Sequence, residues 1–473
     1  MGIKLKEAGI DDFVILEKAS ELGGTWRENS YPGAECDIPS ALYSYSFAPN
    51  LKWEHVWSKR DQIFQYQKDV VEQYELGPHF RFNQKVVSAH FKDSKWQITT
   101  ETPGSETEVL GTQTFETEHF ICALGQLHER FTPTIEGADS FTGAQFHAAK
   151  WNHDVDLKDK DVVVIGSAAS AVQLVPHVAK EAKRLTVIQR SPNWMIQKPN
   201  RRYTKLEHWL AKHLPFLRSA YRNMLYLQGD GILFQAIKGN KLAAWFVTKL
   251  VKYNLKKHVK DPELRAKLTP DYTIGAKRTL FSDTFYKTLN QPHVDLETTS
   301  PKTIQEHSVV TESGKEIKAD VIIYATGFIT NPFIKSIDVV GRSQSLKNAW
   351  ASGAQAYLGL YTAGFPNLHM MYGPNTNLGH NSIIIMIEAQ ASFITRSIIE
   401  LDQTPSKLIE VPSSLEQSFN QELQKRLKTM AFSKIGQSWY MDQGKITNNW
   451  AGTTWEYRRR LKKQKLEPFL TSS

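Results

Sequence analysis

The five residues Asp161-Val162-Val163-Val164-Ile165 run directly into Gly166-Ser167-Ala168-Ala169-Ser170-Ala171. A β-branched run with no polar alternation predicts a strand covered on both faces, which is the environment of a parallel sheet between helices. From Ala169 to about Ala182 the pattern turns helical. The chain therefore reads as strand, glycine turn and helix, a unit that presents backbone N–H groups to a pyrophosphate. Gly166, Ala168, Ser170 and Ala171 are the cofactor-binding residues it predicts. Ala171 is tolerated at the third position of such a turn, whereas Ala168 puts a methyl where the backbone should come closest to the ligand. The next strand, Leu185 to Gln189, ends in Arg190 where an acid would select an unphosphorylated ribose. An arginine there favours a 2′-phosphate and hence NADPH, the alternative being a plain surface arginine.

At 473 residues the chain is too long for one hydrophobic core and implies two or more domains. A hydrophobic fraction of 41%, with 12 Trp and 23 Phe, excludes wholesale disorder. The net charge of +9 is spread along the sequence and reads as a solvated basic surface, with densities at Lys252 to Lys260 and at Arg458 to Lys465. Cys36 and Cys122 are the only cysteines, which argues against a disulfide framework, a zinc site or a redox pair. The sequence shows no apolar run of bilayer length and no signal-peptide pattern, so a cytoplasmic location is expected.

Near the start, Phe13 to Glu17 reads as a buried strand closing on an acid, and Glu17 occupies the place of a ribose-binding carboxylate. No first strand or G-x-G-x-x-G turn stands before it, so the sequence begins inside a cofactor-binding motif. Poor FAD binding is expected of such a chain relative to one extended upstream by roughly 20 residues. A start codon assigned too late and a genuine truncation both fit. Gly23-Gly24-Thr25-Trp26 permits close backbone approach to a ligand, although alone it is also an ordinary turn. From Arg201 to Leu268 aromatic and basic residues interleave at helical spacing. That pattern predicts a packed helical insert, with a membrane-surface role as the sharper alternative.

Phe141-Thr142-Gly143, His147 and Trp151-Asn152 stand ahead of the glycine turn. This spacing resembles the fingerprint F-x-G-x-x-x-H-x-x-x-W-[P/D] of Baeyer–Villiger flavin monooxygenases, with Asn152 departing from it at the last position. The segment Tyr31-Pro32-Gly33-Ala34-Glu35-Cys36-Asp37, with Tyr43 beyond it, is similar to part of the family's FAD site. Asp320 to Phe328, containing Thr326 and Gly327, looks like the return strand to the FAD domain, and Phe120 to Gly125 like its counterpart on the first crossing. Tyr372-Gly373-Pro374-Asn375 is a further family-like block. Gly275-Ala276-Lys277-Arg278 resembles the sequence that supplies a phosphate contact and the catalytic arginine.

The resemblance implies an α/β fold with two Rossmann-like domains and a helical insertion. An FAD domain would cover residues 1–153 and 326–473, and an NADPH domain residues 154–200 and 270–325, interrupted by helices over 201–269. It implies FAD held by Glu17, Gly23, Gly24, Thr25, Trp26, Asp37, Tyr43, Thr326, Gly327 and Asn375, and the NADPH phosphate by Arg190 and Lys277. Oxygen would be inserted into a ketone, giving an ester or lactone, by way of a flavin C4a-peroxide. Arg278 would be the catalytic cation and Asp37 its carboxylate partner. His147 and Trp151 would couple domain motion at the linker, or serve structurally. Oxygenation of sulfur or nitrogen and a flavin-free remnant without activity are the other readings. The partners implied are a small-molecule substrate and dioxygen, with no nucleic acid.

Overall fold

A computed structural model describes residues 1–104, 109–330, 333–404, 407–435 and 440–472. Its most regular feature is a five-stranded sheet made of β1 (Ala144–His147), β2 (Asp161–Ile165), β3 (Arg184–Ile188), β4 (Val294–Glu297) and β5 (Val321–Tyr324). All neighbours are parallel and the order is β4-β3-β2-β5-β1. Every residue of β2 and β5 is buried, as a run of Val and Ile without alternation requires. The chain leaves β2 toward β3 on one side and later enters β5 on its other side, and a crevice for ligands opens at the carboxyl ends of two parallel strands at such a switch in strand order.

Gly166 ends β2 at this switch point. Its φ is +117°, and a Cβ there would lie 2.4 Å from the carbonyl oxygen of Ala325 at the end of β5. Glycine is thus demanded by packing and conformation together. The turn feeds α1 (Ala169–Val178), which buries Ala171, Val172, Leu174, Val175 and Val178 against the sheet. Its N-cap is Ala168, which provides no side-chain cap, so the first N–H groups of α1 lack a side-chain acceptor.

Between β3 and β4 stand α2 (Lys205–His213), α3 (Pro215–Gln228) and α4 (Lys241–His258). Thr204 and Glu207 close a capping box on α2, and Asn240 caps α4 through two backbone N–H groups. Each of these helices turns some large apolar side chains to solvent.

The rest of the molecule is less regular. Lys85–Lys92, Lys95–Pro103 and Val109–Thr117 form an antiparallel meander beyond the elements expected from the sequence, with Asp338–Val340 added in parallel at its edge. Asp93 and Ser94 both have positive φ, +49° and +62°, as a two-residue hairpin turn needs. The expected strand Phe13 to Glu17 reduces to Ile15–Leu16, because Phe13 stacks on His79 and Val14 faces solvent. Ile15–Leu16 pairs with Phe80–Arg81, and Phe120–Cys122 pairs with Leu368–Met370, in separate two-stranded parallel sheets. Among the described residues no helix is long and apolar enough to cross a membrane.

Candidate active site

The loop Tyr31 to Asp37 lies against α1. A Cβ on Gly33 would meet the backbone oxygen of Gln173 at 2.5 Å, so this glycine allows the loop to touch the helix. Gln173 then binds the loop with its side chain. Its amide donates to the Glu35 carbonyl at 2.9 Å, and its Oε1 accepts from the Tyr31 hydroxyl at 2.8 Å. These bonds fix where Asp37 points.

Arg278 reaches Asp37 from the other side, with Nη2 3.0 Å from Oδ2. The Asp37 side chain is 8% exposed and that of Arg278 41%. Behind the pair, fully buried Lys198 donates from Nζ to Glu35 Oε1 at 2.8 Å and to the Cys36 carbonyl at 2.8 Å, and lies 4.0 Å from Asp37 Oδ1. Asn200 also donates to Glu35. Two carboxylates are therefore matched by two cations, as buried charges require. Sequence reasoning missed Lys198, Gln173 and Glu35 as members of this cluster. A lysine in an irregular stretch of chain carries no local signal, and the partners of Lys198 and Gln173 lie more than 130 residues away.

Arg278 opens onto a cavity whose walls include Phe234, Ile237, Phe432 and Trp450, with Tyr440 and His380 as polar members. Burial opposes the charge on Arg278, but Asp37 and the nearby phenols of Tyr440 and Tyr372 outweigh it and raise its pKa further. Burial likewise pushes the Tyr440 hydroxyl up to about 12 and also raises that of Tyr372. At neutral pH these phenols are donors and the guanidinium is a permanent cation.

On the side of the glycine turn, Lys277 Nζ donates to Ser191 Oγ at 2.7 Å. Burial first, and then repulsion from Arg190, lowers the Lys277 pKa, so the two cations share one neighbourhood. Two adjacent cations beside an uncapped helix end suit a phosphorylated dinucleotide. Ala168 is exposed at the turn and Ser170 faces the Tyr31 hydroxyl.

The expected flavin-side residues are more scattered in their contacts. Glu17 accepts from the Ala19 N–H at 2.9 Å and lies 3.4 Å from Arg27, so its carboxylate is partly engaged within the chain. A Cβ on Gly23 would collide with Phe64, whereas Gly24, with φ +48°, faces open space. Thr25 begins a single helical turn, and Trp26 donates to the Tyr43 hydroxyl at 3.1 Å. Thr326 donates to the Phe131 carbonyl. Gly327 supplies a carbonyl to His147 at 3.1 Å. Asn375, with φ +57°, spends its amide N–H groups on the Ile446 and Asn449 carbonyls. Its contribution is to fold that loop.

The fingerprint residues sit at the boundary between the sheet and the rest. A Cβ on Gly143 would lie 2.2 Å from the Asp320 carbonyl, and Phe141 enters the core on one face of the sheet. His147 accepts at Nδ1 from the Ala149 N–H, so Nε2 carries the proton donated to Gly327. Burial lowers its pKa to about 4, which keeps it neutral. Trp151 packs edge-on against Phe146. His147 thus ties the end of β1 to the turn that follows β5.

Residues 1–223 match the pyridine nucleotide-disulphide oxidoreductase family. No disulfide chemistry follows, since Cys36 and Cys122 are buried and unpaired and burial pushes both thiols up to about 12. A solved structure of an oxidized steroid monooxygenase bound to NADP superposes with a TM-score of 0.86 at 27% identity, covering 98% of this chain and 94% of that one. The FAD-binding monooxygenase ktnD of Aspergillus niger is 35% identical over 98% of this chain and 78% of its own length. The Baeyer–Villiger monooxygenase of Streptomyces coelicolor is 37% identical over 99% of this chain and 89% of its own length. Likeness of that extent, on a fold that joins Arg278 to Asp37 beside an uncapped glycine turn, makes this chain a member of the Baeyer–Villiger monooxygenase family.

Proposed function

We propose that this flavin-dependent monooxygenase uses FAD and NADPH to insert one atom of dioxygen into a ketone. Ketone, dioxygen, NADPH and a proton give an ester or lactone, NADP+ and water. FAD, when bound, supplies the passage of electrons from the nicotinamide to dioxygen. The residues proposed to hold it are Glu17, Gly23, Gly24, Thr25, Trp26, Tyr43, Thr326 and Gly327. Gly166, Ala168, Ser170 and Ala171 take the NADPH pyrophosphate at the start of α1, and Arg190 with Lys277 takes its 2′-phosphate. The division into an FAD region, an NADPH region and a helical insert belongs to the same proposal.

The observation that carries the reading is Arg278, held by Asp37 and turned toward a cavity walled on one part by Phe234, Ile237, Phe432 and Trp450 and on another by Tyr440, His380 and Asn449. A guanidinium in that position offers a permanent positive charge where negative charge develops on oxygen. Asp37 orients it. Lys198 and Gln173 hold Asp37 and Glu35 in place, so the charge needs little reorganisation during reaction. Phe234, Ile237, Phe432 and Trp450 exclude water and give an apolar substrate a surface to bind.

The test is product analysis with purified protein, NADPH, labelled dioxygen and a panel of ketones and sulfides. Labelled ester or lactone is the expected product. Sulfoxide alone would move the assignment to heteroatom oxygenation, and NADPH oxidation without any labelled organic product would overturn it.

A further inference from the structure

Twelve of the twenty exposed large hydrophobic side chains among the described residues lie between Leu206 and Tyr253. In α4 the buried residues Val247, Val251, Asn254 and Leu255 form one stripe. Leu242, Trp245, Phe246, Leu250 and Tyr253 are exposed, and at about 3.6 residues per turn they form a second stripe on the opposite side. The helix is apolar on both sides, but the protein covers only one.

The neighbouring helix is inverted. Arg222 of α3 points inward, where Nη1 donates to the Ala41 carbonyl at 2.6 Å, while Phe216, Met224 and Leu227 face solvent. Trp209 and Leu206 of α2 are also exposed, as is Trp455, whose N–H donates to Asp230 in the turn after α3. Leu242 is 74%, Phe216 66% and Trp245 53% exposed, and it is their concentration on neighbouring helices that departs from singly scattered surface apolar residues.

Charge identifies the occupant. From residue 231 to residue 260 there are seven lysines and no Asp or Glu. None of these lysines pairs with a carboxylate among the described residues, and Lys249 sits over the Trp245 ring at 4.1 Å. Beside them, Arg459 lies over Trp455 at 5.1 Å. Aromatic and aliphatic side chains flanked by unpaired cations match the interface of an anionic bilayer, where rings settle at the headgroups and ammonium groups meet lipid phosphate.

We propose that the outer faces of α2, α3 and α4 dock on the surface of an anionic lipid bilayer without crossing it. Phe234 and Ile237, on the short helix between α3 and α4, line the Arg278 cavity, so the docking helices adjoin the wall of the site. Docking would place that site beside a reservoir of apolar solutes.

The experiment is flotation of the flavin-loaded full chain with phosphatidylcholine vesicles, with and without roughly one-third phosphatidylserine. Binding to the anionic vesicles is expected, falling steeply between about 0.1 and 0.5 M salt. A triple variant Leu242→Gln, Trp245→Gln, Phe246→Gln should lose at least about tenfold in partitioning with its melting temperature unchanged. Lys249→Ser and Lys252→Ser should each lower it by about fivefold on anionic vesicles only. No binding to anionic vesicles, or unchanged binding of the triple variant, would overturn the proposal. So would lipid-free sedimentation showing that the wild type dimerises and the triple variant does not, because the patch would then serve a second copy.

Discussion

The two regions that meet at Arg278 are built in different ways. Around Gly166 five parallel strands share one sheet, and β2 and β5 are buried throughout. Around Glu17 the parallel pairs are Ile15–Leu16 with Phe80–Arg81 and Phe120–Cys122 with Leu368–Met370, each two or three residues long. In the first region the backbone is positioned by a continuous ladder. In the second it is positioned by side-chain contacts such as Trp26 to Tyr43, Glu17 to Arg27 and Asn375 to the Ile446 carbonyl. A ladder tolerates side-chain changes but not a change in backbone spacing, whereas a side-chain scaffold has the opposite sensitivity.

The contact between the regions should be the most sensitive point of all. Arg278→Ala is expected to lower the rate of product formation by about 10²- to 10³-fold, the loss seen when one preorganised charge is removed. Flavin reduction by NADPH should persist. Asp37→Ala should cost less, because it loosens the cation without deleting it. Stopped-flow absorbance paired with product analysis separates the two steps. Normal product yield from Arg278→Ala would remove the residue from the chemistry.

The next largest effect contrasts two glycines with positive φ, one in each region. In Gly166→Ala the new Cβ would sit 2.4 Å from the carbonyl of Ala325, which directly follows β5 and is tied to β2 by its N–H donating to Ile165. A loss of about 2–4 kcal/mol is expected, combining overpacking with a left-handed backbone. In Gly24→Ala the Cβ meets nothing within 4 Å, so only the conformational penalty of φ +48° with ψ −118° remains, about 1–2 kcal/mol. Denaturant unfolding measures both. Equal losses would show that the Glu17 region is as tightly determined as the sheet.

Lys277→Met should then raise the KM for NADPH by roughly 10- to 100-fold and leave NADH almost unchanged, from the loss of one charge-assisted contact worth about 1.5–3 kcal/mol. Parallel losses with both cofactors would mean that Lys277 and Arg190 serve a contact other than the 2′-phosphate.

The same difference in construction decided what the sequence revealed. A run such as Asp161 to Ile165 is legible because burial on both faces forces the composition, and Gly166 is legible because only glycine fits under Ala325. Two-residue strands impose no period, so the run Phe13 to Glu17 extends three residues beyond the pairing of Ile15–Leu16, and that region is legible chiefly by resemblance. The meander from Lys85 to Thr117 does carry a signal, a polar two-residue turn between its first two strands. The pairing of Asp37 with Arg278 spans 241 residues and the tie from Lys198 to Glu35 spans 163. No local pattern encodes contacts at that range. The insert's helices were legible from their period, but which of two apolar stripes faces the protein depends on what covers it.

Two buried glutamates carry the comparison to its smallest expected effect. Glu297, at the end of β4, is opposed by burial but accepts from the Thr298 and Thr299 N–H groups, the Thr299 hydroxyl and Lys315, which together lower its pKa to about 2. The unfolded chain binds its proton more tightly than the native state does. The stability it contributes is therefore present above the ordinary value of 4.5 and is lost as pH falls toward about 2. Glu416, on the helix Ser413–Leu427, is raised to about 7 by burial, against a single N–H from Ala363, and its Oε1 has no hydrogen-bond partner among the described residues. Here the native state binds the proton more tightly, so stability is lost as pH rises from 4.5 through about 7. Glu416→Gln keeps the acceptor for Ala363 and removes the charge, and should stabilise the protein by about 1 kcal/mol at pH 8 while changing little at pH 5. Glu297→Gln should instead destabilise at pH 8, since a neutral amide cannot satisfy four donors as a carboxylate does. Thermal unfolding of both variants at the two pH values checks the signs, and a stabilising Glu297→Gln would mean that the end of β4 is no better satisfied than the helix that carries Glu416.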